Sequence, residues 1–131
     1  MLDPLIGTRL DLATGVSKTF YATQLLNLGT VRWLAGPVGY DFTGNTSTFT
    51  NAGLWEIHAD SSWNHPYGGQ LPSLHNEGTL RKVGGTGTST LLNLNFSNAG
   101  QIQVDQGRLA LQSINGFLAG SARSEEHTSE L

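Results

Sequence analysis

The stretch ADSSWNHPYGGQLP, residues 59–72, contains the side chains best suited to binding a ligand. Trp63, His65 and Tyr67 alternate in this stretch, so an extended backbone places all three on one side. Aromatic faces flanked by amide and hydroxyl groups can stack on sugar rings and hydrogen-bond to their hydroxyls. The same residues could instead fold a long loop against the protein, with its proline and paired glycines shaping the turn. Trp63, His65 and Tyr67 are therefore candidate carbohydrate contacts, with the packed loop as the alternative.

Residue types that bind metals or catalyse hydrolysis are dispersed along the chain. The candidate metal ligands are His58, Asp60, His65 and His75, and they lack a compact spacing such as His-Glu-x-x-His. Hydrolysis of a glycosidic bond requires two converging carboxylates. The candidate carboxylates are Asp41, Glu56, Asp60, Glu77 and Asp105. They lie at different distances from the repeated Asn described below, so they are not expected to converge on one site. We expect no metal, no cofactor and no catalytic site in this chain.

Composition favours strands and tight turns over helices. The 131 residues include 17 Gly and no Cys, only 13% are charged, and the net charge is −3. Gly, Asn and Thr are poor helix residues. The small, scattered charge gives no indication of a nucleic-acid partner, and no apolar run reaches the length of a membrane span.

One sequence motif recurs along the chain: apolar-x-Asn-x-Gly-x-apolar, where x is any residue. Its copies are Leu25-x-Asn27-x-Gly29-x-Val31, Phe49-x-Asn51-x-Gly53-x-Trp55, Leu74-x-Asn76-x-Gly78-x-Leu80 and Phe96-x-Asn98-x-Gly100-x-Ile102. A period of 22–25 residues indicates a solenoid. Within each unit the apolar residues alternate with polar ones, as Leu92, Leu94 and Phe96 do, which indicates strands with one buried face. The sequence therefore predicts an all-β fold, a parallel β-helix of about four coils.

This architecture gives the repeated residues a physical role. Stacked asparagines can hydrogen-bond along the column, so Asn27, Asn51, Asn76 and Asn98 are predicted to form a structural ladder. Asn also tolerates a left-handed backbone at a bend, and Gly relieves the steric limit where the chain turns. The inward positions after the bend are predicted to be Val31/Trp33, Trp55/Ile57, Leu80/Lys82 and Ile102/Val104. Because burying an unpaired ammonium is costly, the strand is expected to end near Arg81, with Lys82 reaching solvent.

The C-terminal segment RSEEHTSEL, residues 123–131, has a different character. It has three Glu and one Arg in nine residues, and no strand pattern. It resembles the translation of a common sequencing-adapter oligonucleotide, so it is interpreted as an artefactual, disordered tail. Residues 1–122 are interpreted as a piece of a longer solenoid, with residues 1–24 the hardest to place.

The stretches NEGTLRKVGGTGTSTL and FSNAGQIQVDQGRLALQ resemble repeats of very large bacterial surface proteins. These are the filamentous-haemagglutinin and autotransporter-passenger families, with a pectin-lyase-like fold; the resemblance covers residues 74–112 best. It implies a right-handed helix, an extracellular or cell-surface location, and an adhesive or scaffolding role. The implied partners are host or matrix glycans or proteins, and further coils of the same chain. The alternatives are a carbohydrate-active module whose catalytic coils lie outside this segment, and a trimeric viral fibre.

Overall fold

The computed structural model describes residues 9–20, 22–40, 47–64, 71–112, 115–118 and 121–124. In these ranges the regular elements are all β-strands, and no helix is long and apolar enough to span a bilayer. In chain order, the strands are β1 (Arg9–Leu12), β2 (Lys18–Phe20), β3 (Gln24–Asn27), β4 (Thr30–Trp33), β5 (Val38–Tyr40), β6 (Thr48–Asn51), β7 (Leu54–Ile57), β8 (Ser62–Asn64), β9 (Ser73–Asn76), β10 (Thr79–Lys82), β11 (Thr88–Leu92), β12 (Asn95–Asn98), β13 (Gln101–Val104), β14 (Arg108–Gln112), β15 (Asn115–Leu118) and β16 (Ser121–Ser124).

Each strand pairs in parallel with the strand three places later in the chain. The chain therefore passes through three sheets in turn and then returns to the first. Sheet A has the order β1-β4-β7-β10-β13-β16, sheet B runs β2-β5-β8-β11-β14, and sheet C runs β3-β6-β9-β12-β15. One coil is therefore one strand from each sheet, and each coil stacks on the preceding one. The predicted all-β parallel solenoid is confirmed.

Alternation along each strand determines which side chains enter the core. In β4, β6, β7, β9 and β10, the second and fourth residues are buried while the first and third are partly exposed. The predicted inward positions of sheet A are all buried. The buried apolar side chains form one cluster: Leu12, Leu25, Val31, Trp33, Val38, Phe49, Trp55, Ile57, Ala59, Trp63, Leu74, Leu80, Leu91, Leu94, Phe96, Ile102, Val104 and Leu109. Because the side chains of neighbouring coils lie about 4.8 Å apart, this core is continuous along the stack.

Sheets C and A are joined by a two-residue corner, which we name the C–A corner. It consists of residues 28–29, 52–53, 77–78 and 99–100, and its second residue is always Gly. Backbone bonding to the preceding coil continues through it: the Ala52 N–H donates to the Asn27 carbonyl at 2.9 Å, and that of Leu54 to Gly29 at 2.9 Å. The coils therefore remain in register around this bend.

The glycines of the C–A corner are required by close approach to the coil below. A Cβ added at Gly53 would collide with the carbonyl oxygen of Gly29, one at Gly78 with that of Gly53, and one at Gly100 with that of Gly78. The expectation that the repeated Asn adopts a left-handed backbone is wrong. Among the described residues, only Ala22 and Asn93 are non-glycine residues with a positive φ.

The other two connections differ from coil to coil. The A–B corner consists of residues 13–17, 34–37, 58–61, 83–87 and 105–107. The B–C connection spans two residues between β11 and β12 but eight between β8 and β9, where residues 65–70 lie outside the described ranges.

Local alternation fails at one short B–C connection. Leu92 was predicted to face inward with Leu94 and Phe96, but Leu91 is the buried residue and Leu92 is half-buried. Asn93, with a φ of 54°, turns the chain between them and shifts the alternation by one residue.

The C-terminal boundary of the solenoid also differs from the sequence interpretation. Strand β16 pairs with β13 and includes Arg123 and Ser124, the first two residues of the segment interpreted as an artefactual tail. Residues 125–131 lie outside the described ranges.

Candidate functional site

The four repeated asparagines lie one above another at the ends of the sheet C strands. Asn27 Nδ2 donates to Asn51 Oδ1 at 2.7 Å, Asn51 Nδ2 to Asn76 Oδ1 at 2.8 Å, and Asn76 Nδ2 to Asn98 Oδ1 at 2.7 Å. All four residues are at most 1% exposed. The amides therefore form a buried column, which we name the asparagine ladder, and they are inaccessible to a ligand.

Three of the four amides, those of Asn27, Asn51 and Asn76, also bond to the sheet A strand of the following coil. In each case the acceptor is the carbonyl of the first residue of that strand: Asn27 donates to Leu54 at 3.0 Å, Asn51 to Thr79 at 2.9 Å and Asn76 to Gln101 at 2.9 Å. One side chain thus bonds to the following coil on both sides of its C–A corner. This double use explains why Asn is needed, since Ser or Asp lacks two donors on one group.

The assignment of Trp63 as a carbohydrate contact is wrong. Residues 62–64 form β8 of sheet B, with Trp63 opposite Val38 and Leu91, and the indole is only 2% exposed. It stacks on Phe20, with ring centroids 5.8 Å apart, and meets Trp55 edge-on at 5.3 Å. The other two candidates, His65 and Tyr67, lie outside the described residues.

Lys82 also differs from its predicted position. Strand β10 continues through Lys82, whose side chain is 0% exposed. Its ammonium donates to Asp60 Oδ1 at 2.9 Å, to Ser89 Oγ at 2.9 Å and to the Gly84 carbonyl at 2.8 Å. All three N–H donors are used, so the charge is buried with a counter-ion and two dipoles instead of reaching solvent. We name this arrangement the lysine cluster.

Asp60 supplies the counter-ion from the A–B corner of the preceding coil. Burial raises the pKa of Asp60, but hydrogen bonds from Lys82 and the Gly87 N–H, with the charge of Lys82, outweigh it and lower the pKa below its usual value. The carboxylate remains 38% exposed. It is therefore ionised at neutral pH and joins the corners of two successive coils.

The lysine cluster also brings together a hydroxyl and an amine, the pair used by serine–lysine nucleophiles. Here the Ser89 hydroxyl is 0% exposed and donates to the Ala59 carbonyl at 2.5 Å. A substrate cannot approach this oxygen, and its proton is already engaged. The cluster therefore stabilises the corner.

The other candidate metal ligands and acids have separate partners. Glu56 pairs with His58 at 3.1 Å on sheet A, and His75 Nδ1 lies 2.6 Å from Ser97 Oγ on sheet C. Within the described ranges, no three His, Asp or Glu side chains are grouped as metal ligands.

The acids do not all occupy different positions around the coil, as the sequence analysis expected. Asp60 and Asp105 both lie in the A–B corner, two coils apart, while Glu77 lies in the C–A corner. Asp105 binds Arg81 at 2.6 Å, whereas Asp60 belongs to the lysine cluster. Asp41 lies outside the described residues.

The outer face of sheet A carries a column of charged and polar side chains. In register along the sheet are Asp11, Arg32, Glu56, Arg81 and Gln103. Arg32 forms a bidentate pair with Asp11, at 2.9 Å for each bond, and this hydrogen bonding lowers the pKa of Asp11. Arg81 pairs with Asp105, so ion pairs on the solvent side join the first coil to the second and the fourth to the fifth.

A shallow groove interrupts the outer face of sheet B. Its volume is about 260 Å³, and it lies where Thr19, Gly39 and Asn64 succeed one another in register. Thr19 and Asn64 carry side chains while Gly39 between them carries none. We name this feature the Gly39 groove. Among the described residues it combines exposure with polar side chains, and sequence reasoning missed it because the sequence signal is a single glycine within a short strand.

Comparison with known proteins adds no relative: no family model, curated protein or solved structure matches this chain. The functional argument therefore rests on the geometry of the solenoid.

Proposed function

We propose that this chain is a rigid rod segment of a bacterial surface or secreted protein, and that it presents its faces and connections for adhesive contact. The observation that carries the proposal is the asparagine ladder, which joins successive coils by identical buried hydrogen bonds. A stack joined in this way extends in one direction by adding coils, with each coil in contact only with its neighbours.

The outer faces of the rod support a presenting role because they differ in chemistry. Sheet A carries the charged column, whereas the first four strands of sheet C present an outer face without Asp, Glu, Lys or Arg. The outward residues there are Gln24, Leu26, Thr48, Thr50, Ser73, His75, Asn95 and Ser97. A partner therefore meets ion pairs on one side and hydroxyl and amide groups on another, while the core and its ladder remain unchanged.

The variable B–C connection supports the same role. Its length changes between coils without disturbing the pairing of β8 with β11 or of β9 with β12. Residues can thus be inserted along one edge of the rod at little cost to the stack, which is how solenoids carry contact surfaces.

Adhesion of protein-coated beads tests the proposal. Fluorescent beads carrying the folded chain should adhere to epithelial monolayers and to matrix-coated glass, severalfold above beads carrying the same chain after heat unfolding. Equal adhesion of the two bead types would exclude an adhesive role for the folded rod. Release of reducing ends from a polysaccharide panel would favour the carbohydrate-active alternative instead.

A further inference from the structure

The Gly39 groove owes its existence to one missing side chain. On the outer face of sheet B, residues 19, 39 and 64 occupy the same position in three successive coils. Thr19 and Asn64 project from the first and third, and Gly39 leaves a gap between them. Ser17 and Pro37 close one end, and Ser62 lies beside Asn64.

Within the part of the chain that the structure describes, no contact requires a glycine at this position. A Cβ added at Gly39 would lie 3.8 Å from the Asn64 carbonyl oxygen and 3.9 Å from Thr19 Oγ1, which are ordinary contacts. Its φ is not positive, unlike that of Gly36. Gly53, by contrast, cannot accept a Cβ because of the backbone of the coil below.

A glycine inside a strand weakens the strand and commonly marks a place where a ligand approaches the backbone. Among the described residues, neither close packing nor backbone conformation accounts for Gly39, and access of a ligand to the groove is a physical reason for its lack of a side chain.

The lining indicates an uncharged ligand with several hydroxyl groups. Ser17, Thr19 and Ser62 each provide a hydroxyl that can both donate and accept. Asn93 Nδ2 donates to Asn64 Oδ1 at 2.9 Å, which orients the amide of Asn64 and leaves its Nδ2 available to donate into the groove.

The one cation of the lining is already satisfied. The Lys18 ammonium donates to the carbonyls of Thr14, Val16 and Ala35, the last at 2.8 Å. With its three donors engaged, it offers an anion no direct hydrogen bond. An acidic ligand such as a uronate or sulfate therefore has no cationic hydrogen-bond donor to pair with in this lining.

We propose that the Gly39 groove binds a single neutral sugar unit of a glycan, an assignment that rests on the adhesive role proposed above and specifies its ligand. The volume of about 260 Å³ is below the range of roughly 300–1,000 Å³ usual for drug-sized ligands and suits one sugar ring. The ring lies over the Gly39 backbone, and the hydroxyls and the Asn64 amide replace its hydration.

Titration of neutral methyl glycosides of glucose, galactose, mannose and N-acetylglucosamine tests the assignment, with binding followed by NMR shifts of the full chain. At least one glycoside should bind and shift Thr19, Gly39 and Asn64. Gly39→Val fills the groove with a side chain that favours strands, so it should weaken binding at least tenfold and leave the fold unchanged. Asn64→Ala should weaken binding about fivefold to tenfold.

Thr50→Val, on the outer face of sheet C, is the matched control and should bind as the unmodified chain does. Absence of binding by all four glycosides, or undiminished binding by Gly39→Val, would overturn the assignment. The bead assay separates the two proposals. Adhesion by beads of both the original chain and Gly39→Val, without glycoside binding, would reject the groove and retain the adhesive rod. Glycoside binding without adhesion would reject the adhesive role alone.

Discussion

The C–A and A–B corners achieve the same change of direction by different physical means. In the four copies named above, the C–A corner has two residues with Asn before it and Gly at its end, and Asn27, Asn51 and Asn76 each bond to the next Asn and to the following sheet A strand. The A–B corner has between three and five residues. Trp33 Nε1 donates to the Gly36 carbonyl at 2.7 Å in one copy, whereas Lys82 joins Asp60 in another. A bend can thus be held by one repeated set of bonds, or by a different set in each coil.

The difference predicts how each corner responds to substitution. Each inner Asn of the ladder bonds to the coil before it and to the coil after it, so removing one side chain affects both of these coils. The lysine cluster depends on one charge being matched, so the effect of a substitution there depends on which partner is removed.

The largest effect is expected for Asn51→Ala. Asn76 Oδ1 and the Thr79 carbonyl lose their donors, and an acceptor of Asn27 is lost, all in a buried site. At roughly 1–3 kcal/mol for each orphaned group, the unfolding free energy should fall by about 4 kcal/mol. Urea denaturation followed by far-UV circular dichroism measures this loss. Asn95→Ala, on the outer face of sheet C, is the control and should change stability by about 0.5 kcal/mol or less.

The lysine cluster should respond asymmetrically. Asp60→Ala leaves the Lys82 ammonium buried without its counter-ion and should cost about 3 kcal/mol. Lys82→Met keeps an apolar stem of similar size, and the exposed Asp60 carboxylate can be hydrated, so its cost should be below about 1.5 kcal/mol. The same denaturation measurement compares the two variants. Equal losses would mean that Lys82 contributes through its charge as much as through its volume.

Gly78→Ala tests the close approach of the coils at the C–A corner. Its Cβ meets the Gly53 carbonyl oxygen, which is backbone and cannot rotate away. Overpacking of this kind costs about 1–3 kcal/mol. Gly15→Ala has open space around its Cβ and should leave the urea midpoint unchanged or slightly raised. A neutral result at Gly78 would show that the coils can separate at this corner without loss.

The smallest expected effect is a decrease in the unfolding free energy at acidic pH. The pKa of Asp60 is lowered by folding, so its contribution to stability is present above the unfolded pKa and is lost as pH falls through the folded value. The unfolding free energy of the original chain should therefore approach that of Asp60→Asn as the pH falls below about 4. Parallel denaturation series of the two proteins measure the difference. A gap that stays constant from pH 6 to pH 3 would contradict the ion pair.

The contrast between corners also explains what could be predicted from the sequence. The sheet A core, the parallel stacking and the positions of the ladder were predictable because Asn51 and Gly53 recur with their apolar neighbours. The environment of Lys82 was not, because its partners come from the preceding coil and the following strand. The alternation in the sequence did indicate burial of Lys82, because Lys82 occupies the inward position held by Ile57 and Val104 in the adjacent coils.

Trp63 and the Gly39 groove were missed for a related reason. Strand β8 has three residues, Ser62, Trp63 and Asn64, and two of them are polar, so its alternation is too short to distinguish from a loop. Gly39 differs from the other glycines through the coils on either side of it, which the sequence of β5 does not specify. Features set by contacts between coils become predictable only when the same residue repeats.

The placement of the tryptophans has a consequence for measurement. Trp33, Trp55 and Trp63 are the three indoles of the chain, and they meet in one cluster built by the second and third coils. Intrinsic fluorescence therefore reports the opening of that part of the rod and is insensitive to fraying beyond β12, because the fourth coil supplies the last strands that pair with the tryptophan strands. If the last coils melt first, the emission spectrum will stay constant while strand content falls, and the separation of the two curves will show the direction in which the solenoid unwinds.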